Sequence, residues 1–140
     1  MLSIYPACFL KEDNGYSVIF PDLNWLSTCG DTASGAMAAA VDCLAGYLYT
    51  AQMENQKVPL PSSIHDVDPE KIADELGLPF EGAFINMVSV DVAAYAKTHF
   101  EKSVKKTLTI PAWLNQIALE QNINFSQVLQ EALINKIQLY

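Results

Sequence analysis

Short apolar segments separated by turn residues open the chain, and a long helical periodicity follows them. Leu2–Leu10 reads as a first strand, and Pro6 predicts an edge or irregular position because proline cannot donate to a ladder. Asp13-Asn14-Gly15 supplies a turn in which Asn-Gly takes positive φ, so Tyr16–Phe20 closes a hairpin. Pro21-Asp22 ends that strand, and a third short strand runs over about Leu26–Cys29. Thr32 is placed to cap a helix over Ala33–Met53, whose stripe is Met37, Ala40, Val41, Leu44 and Leu48. Ala36, Ala38, Ala39, Ala40, Ala45 and Gly46 let this helix lie close against a sheet. Residues 55–81 form a connector with four prolines and a short helix around Pro69–Leu76. Gly82–Val90 then alternates Phe84, Asn86, Val88 and Val90 against Ile85, Met87 and Ser89, as a strand should. A short helix near Val92–Lys97 and the charged Glu101-Lys102-Ser103 complete this half.

A different pattern follows. Val104–Ile110 alternates again, with Lys106, Leu108 and Ile110 on one face and Lys105, Thr107 and Thr109 on the other. Pro111 suits a first helical turn, after which Leu114, Ile117, Ala118 and Gln121 keep helical spacing. Asn122 favours the left-handed residue that ends a helix, and Asn124 reads as an N-cap with Gln127 as its capping-box partner. Leu129, Ala132, Leu133 and Ile137 stripe the second helix. The expected fold class is α+β: β-β-β-α-β over residues 1–98, then β-α-α over residues 99–140. A lone strand needs a partner, and the simplest one is the same strand in a second copy. Segments below about 40 residues rarely fold without oligomerisation. Leu108, Ile110, Leu129 and Leu133 are therefore the expected dimer contacts. A two-stranded ribbon also fits the DNA major groove. The competing reading is a dimerisation module alone, since Thr is a common strand residue.

Charge separates the halves. Residues 1–98 hold 13 acidic side chains against 4 lysines, a formal −9, whereas residues 99–140 hold 3 against 4, a formal +1. The first half would repel nucleic acid and attract a basic protein. At 51% hydrophobic the chain is globular. Cys8, Cys29 and Cys43 lack metal-ligand spacing, and His65 and His99 stand alone, so neither metal nor cofactor is expected. With no signal peptide and no membrane-length apolar run, a reducing cytoplasm is the expected setting. Asp22, Asp31, Asp42 and Asp91 are weighed as metal-nuclease ligands. Asp22 and Asp31 sit where turns and helix starts favour aspartate anyway, so no enzyme is expected.

Two groups of motifs carry family resemblances. Lys105–Pro111, Asn124-Phe125-Ser126-Gln127 and Glu131-Ala132-Leu133 resemble the ribbon-helix-helix repressors. That likeness implies base reading by Lys105, Thr107 and Thr109, and a phosphate clamp at Asn124, Phe125 and Ser126. Gly15-Tyr16-Ser17-Val18-Ile19-Phe20-Pro21-Asp22-Leu23 and Ser27-Thr28-Cys29-Gly30-Asp31-Thr32 resemble the HicB antitoxin family. This implies an incomplete ribonuclease H-like domain that masks a small basic HicA-type RNase toxin, and repression of its own operon through the C-terminal domain. Tyr16, Asp22, Trp25 and Asp31 are candidate toxin contacts. Trp25 stands where the family keeps a small loop residue, which makes it either an exposed anchor or a core plug. A homodimer is implied, with a tetramer if the first domains also pair. The alternative is a ribbon-helix-helix regulator that senses a small ligand.

Overall fold

In the computed structural model, which describes residues 1–101 and 103–137, strand β1 (Ser3–Glu12) is the spine of the first of two compact units, Met1–Lys102 and Ser103–Tyr140. Lys102, part of the expected link, and the last three residues lie outside the description. β1 pairs antiparallel with β2 (Gly15–Phe20) on one side and β4 (Phe84–Val90) on the other, and β3 (Leu26–Gly30) pairs with β2. The sheet order is β3-β2-β1-β4. With α1 (Ala33–Met53), α2 (Pro69–Leu76), α3 (Val92–His99), α4 (Ala112–Glu120) and α5 (Phe125–Ile137), the architecture is mixed α+β.

Both faces of β1 are covered. Tyr5, Ala7 and Phe9 join Val18, Phe20, Val88 and Val90 beneath α1, which buries Ala36, Ala40, Leu44, Ala45 and Leu48. Met37 and Val41, expected on the buried stripe, are half-buried flanks of that core. Three of the five α1 core positions are alanines with little area to bury, so Leu44 and Leu48 carry the helix, at roughly 1.5–3 kcal/mol each. Cys8, Leu10 and Ile19 face the other way, against Val67, Ile72 and Ala73 of the connector and α2.

Pro6 sits in a central strand, not at the sheet edge its chemistry suggests. The register explains how. Pro6 lies opposite Met87, whose N–H donates to Asn86 Oδ1 at 2.9 Å instead of to β1. This is therefore a non-hydrogen-bonded pair, and the proline nitrogen faces the β2 side. The β1–β2 ladder begins only at Cys8↔Ile19, so the missing N–H costs no ladder bond.

The first hairpin also differs from expectation. Asp13 and Asn14 form the loop with ordinary φ, and Gly15 at φ 140 takes the strained position. A Cβ on Gly15 would collide with the carbonyl oxygen of Gly30, and one on Gly30 would collide with the backbone of Ala36. The two glycines let the β1–β2 turn, the end of β3 and the first turn of α1 meet at one corner. Thr32 caps α1 as expected, accepting from the Gly35 N–H at 3.0 Å.

In the second unit, Asn122 at φ 54 ends α4. The Ile123 N–H reaches Ala118 O and the Asn122 N–H reaches Leu119 O, the paired bonds of a Schellman end. Asn124 caps α5 by accepting from the Gln127 N–H at 3.1 Å. The Gln127 side chain does not return the contact; it donates to Glu131 at 3.2 Å. Pro111 is the residue before α4, not part of its first turn. Residues 104–111 form no regular element, which corrects the expected strand for the single chain. A strand is defined by a hydrogen-bonded neighbour, and nothing described in this chain offers one. Ala118 is the only buried residue described in this unit.

Candidate functional site

The four candidates of the first unit fall at opposite ends of the β2–β3 hairpin. Tyr16 pairs with Gly30, just before Asp31, while Phe20 pairs with Leu26, beside Asp22 and Trp25. Four strand steps, roughly 13 Å, separate the two ends. At the first end Glu12, Asp13, Asn14, Tyr16, Cys29, Gly30 and Asp31 line an open cleft of about 310 Å³. The Tyr16 ring meets Phe84 edge-on at 6.1 Å, and Phe84 stacks on Phe9 at 4.9 Å, so an aromatic wall stands beside three carboxylates. Ser17 donates to Glu12 at 2.8 Å and fixes that carboxylate.

At the second end, Asp22 is engaged internally. Its Oδ2 accepts from the Ser62 N–H at 2.7 Å and its Oδ1 from the Ser62 hydroxyl at 2.6 Å. Tyr5 similarly donates to the carbonyl of Pro59. The proline-rich connector is thus clasped to the sheet at two points, and neither Ser62 nor Pro59 carried a sequence signal for it. Trp25 is 39% exposed and follows Asn24 in the left-handed region, at φ 59 and 55 respectively. That conformation is costly for a bulky residue, about 1–2 kcal/mol. Trp25 is therefore neither a core plug nor a relaxed loop residue. A second open groove, of about 380 Å³, includes Leu26, Asp42, Cys43, Tyr47 and Phe100.

The acidic character is left unneutralised. Among the described residues the one ion pair joins the N-terminal amine to Asp91 at 3.3 Å. Asp91 also caps α3 by accepting from the Ala94 N–H at 3.1 Å. That backbone bond, with the amine, holds its carboxyl below the usual range. Burial pushes the Cys8 thiol up to about 11, and Cys43 upward as well, with Asp42 adding to the latter. Among the described residues no three His, Cys, Asp or Glu side chains gather as metal ligands. No described helix is long and apolar enough to cross a membrane.

In the second unit Lys105, Thr107 and Thr109 are exposed, as are Asn124, Phe125 and Ser126 at the start of α5. Leu108, Ile110 and Leu133 are exposed and Leu129 is half-buried. Trp113, Leu114, Ile117, Ile134 and Ile137 are exposed too, an unusual load of apolar surface for two short helices.

Comparison with known proteins accounts for this architecture. A family described as "HicB_like antitoxin of bacterial toxin-antitoxin system" matches residues 5–133. The chain belongs to the HicB-like antitoxin family. Its structure resembles one solved as "Toxin-Antitoxin complex from Streptococcus pneumoniae", with 33% identity, a TM-score of 0.62, and coverage of 97% of this chain and 99% of that one. A chain from a "HicA3 and HicB3 toxin-antitoxin complex" shares the fold at TM-score 0.51 and 23% identity, covering 64% of this chain and 99% of that one. A 14.9 kDa protein encoded in the rep-hol intergenic region of Haemophilus phage HP1 is 27% identical over 114 residues, 79% of this chain and 75% of the phage protein. This family member thus carries, in one chain, the acidic sheet unit and the apolar helical unit described above.

Proposed function

We propose that this antitoxin uses its two units for two partners. The first unit binds and masks a small basic RNase toxin of the HicA kind, and the second forms a ribbon-helix-helix homodimer that represses the chain's own operon. The observation that carries the toxin half is an acidic unit whose described carboxylates find no side-chain cation, in a chain of an antitoxin family whose solved likenesses include toxin–antitoxin complexes. Opposite charge speeds encounter and rejects wrong partners. Trp25 supplies the hydrophobic anchor that such an interface needs, since hot spots favour Trp. Tyr16 and Asp31 offer a second contact at the far end of the hairpin, while Asp22 holds the scaffold.

For the DNA half, apolar side chains left exposed by the single chain support a second copy as their cover. Pairing two 104–110 segments would align Lys105, Thr107 and Thr109 on the polar face, while the Phe125 and Ser126 N–H groups open α5 toward a phosphate. A small-ligand sensor would need an enclosed apolar pocket, whereas the two clefts described are open. Co-expression with the adjacent small basic reading frame tests the function. Purification of a stable complex at moderate salt, with RNase activity restored when the antitoxin is removed, is the expected result. Absence of any complex would overturn the toxin half.

A further inference from the structure

One stretch of the first unit bonds almost entirely to itself. Over residues 57–81 the described hydrogen bonds join residues at most five apart, as in Asp66 N–H to Ser63 O, Ile72 N–H to Asp68 O and Leu78 N–H to Ala73 O. Three exceptions tie the stretch to the sheet. The Tyr5 hydroxyl donates to Pro59 O, and the Ser62 N–H and hydroxyl both donate to Asp22. Its buried contacts are few as well. Val67, Ile72 and Ala73 cover Cys8, Leu10 and Ile19 on the face of the sheet away from α1, in a cluster that shares no residue with the core beneath α1. The stretch is also bounded by two residues in the left-handed region. Asn55 leaves α1 at φ 53, and Gly82 leads into β4 at φ 78. A Cβ on Gly82 would press to 3.1 Å from the Lys11 stem, so glycine suits this turn on both counts.

We propose that residues 57–81 form a door over this face of the sheet, hinged at Asn55 and Gly82 and latched by Asp22 and Tyr5. The door opens as one piece while α1 stays seated on the other face. Hinges of this kind are element-terminal residues that absorb the φ/ψ change. Opening bares the apolar strip of Cys8, Leu10 and Ile19. It also frees the Asp22 carboxylate at the root of the turn that carries Trp25.

The balance of contacts favours a separate opening. α1 places five residues in the main core, whereas the door places three in the smaller cluster. Regions with few buried apolar contacts open at lower free energy than the core does. The latch opposes opening. Two of its three bonds end on a carboxylate, and charge-assisted bonds are the stronger kind. Pro59 and Pro61 work in the same direction, because proline limits the chain entropy that the strap gains on release. The door stands apart from the toxin and operator readings.

Native-state amide exchange on the full chain, followed residue by residue at low denaturant, tests it. In the parent, the Ile72 and Ala73 amides of α2 exchange at least about tenfold faster than the Leu44 and Leu48 amides of α1. Their exchange also has the shallower denaturant slope, because opening the door exposes less surface than unfolding the unit. Ser62→Ala removes a bond made only in the closed form, so it speeds both sets of amides by about tenfold or more. Leu44→Ala weakens the closed and open forms alike. It therefore speeds the α1 amides and leaves Ile72 and Ala73 unchanged. One shared rate and slope for both sets in the parent would overturn the proposal. So would Ile72 and Ala73 amides that quicken with Leu44→Ala, or that ignore Ser62→Ala. If Leu44→Ala does not fold, the two slopes of the parent decide alone.

Discussion

Asp22 grips Ser62 with both carboxylate oxygens, at 2.6 and 2.7 Å, across forty residues of chain. The grip pins the proline-rich connector beside the end of β2. Hydrogen bonds to a charged group contribute about 1.5–3 kcal/mol each. Asp22→Ala should therefore lower stability by about 3 kcal/mol or more in denaturant titration and expose residues 55–65 to limited proteolysis. Once folded, the variant should still capture the toxin.

Trp25 separates stability from binding. Replacing it with glycine relieves about 1–2 kcal/mol of left-handed strain. The replacement also loosens the unfolded chain by roughly 0.5–1 kcal/mol. Trp25→Gly should thus melt within a few degrees of the parent, or above it, while toxin affinity falls at least about tenfold, the loss of a modest hot spot. Unchanged affinity by calorimetry would remove Trp25 from the interface.

Lys105→Ala with Thr107→Ala should abolish operator binding in a mobility-shift assay and leave the oligomeric mass unchanged. Operator affinity of the parent should fall steeply as salt rises, because bound phosphates release counterions. Loss of the assembly in the double variant would instead make the segment purely structural.

The thiols give a rank order. Cys29 is exposed, Cys43 half-buried and Cys8 buried, and burial raises Cys8 to about 11. Thiolate is the reactive form. A thiol reagent at pH 8 should label Cys29 first and Cys8 only on unfolding.

Asp91 sets an acid limit on the α3 cap. Its carboxyl is held down in the folded state, so its contribution is fully present above the unfolded value of 3.8 and lost as pH falls through the lower folded value. The stability gap between the parent and Asp91→Asn should be constant near neutrality and shrink below about pH 4. A gap independent of pH would mean that the neutral amide caps equally well.

Local chemistry made most of the fold legible in the sequence. Thr32, Asn122 and Asn124 act through neighbours at most five residues away, and they end or begin helices where their side chains suggest. Pro69–Leu76 is bounded by Asp68, whose carboxylate caps Glu70 and Lys71, and by left-handed Gly77. Positions fixed by distant partners were harder to read. Pro6 is accommodated by a ladder that starts two residues later, and Gly15 by the approach of Gly30. Asp22 read as a surface candidate because Ser62 lies forty residues away. The candidate contacts of the first unit share a hairpin in sequence, but strand rise carries Tyr16 and Trp25 to opposite ends of it.

The 104–110 segment has no regular structure in one chain, and under the proposed pairing that would turn it into a dosage meter. A surface completed only by an identical copy appears, at low occupancy, with the square of chain concentration. Halving the supply of such a chain quarters its paired form, so an operator read by the pair would reopen well before the antitoxin itself ran out.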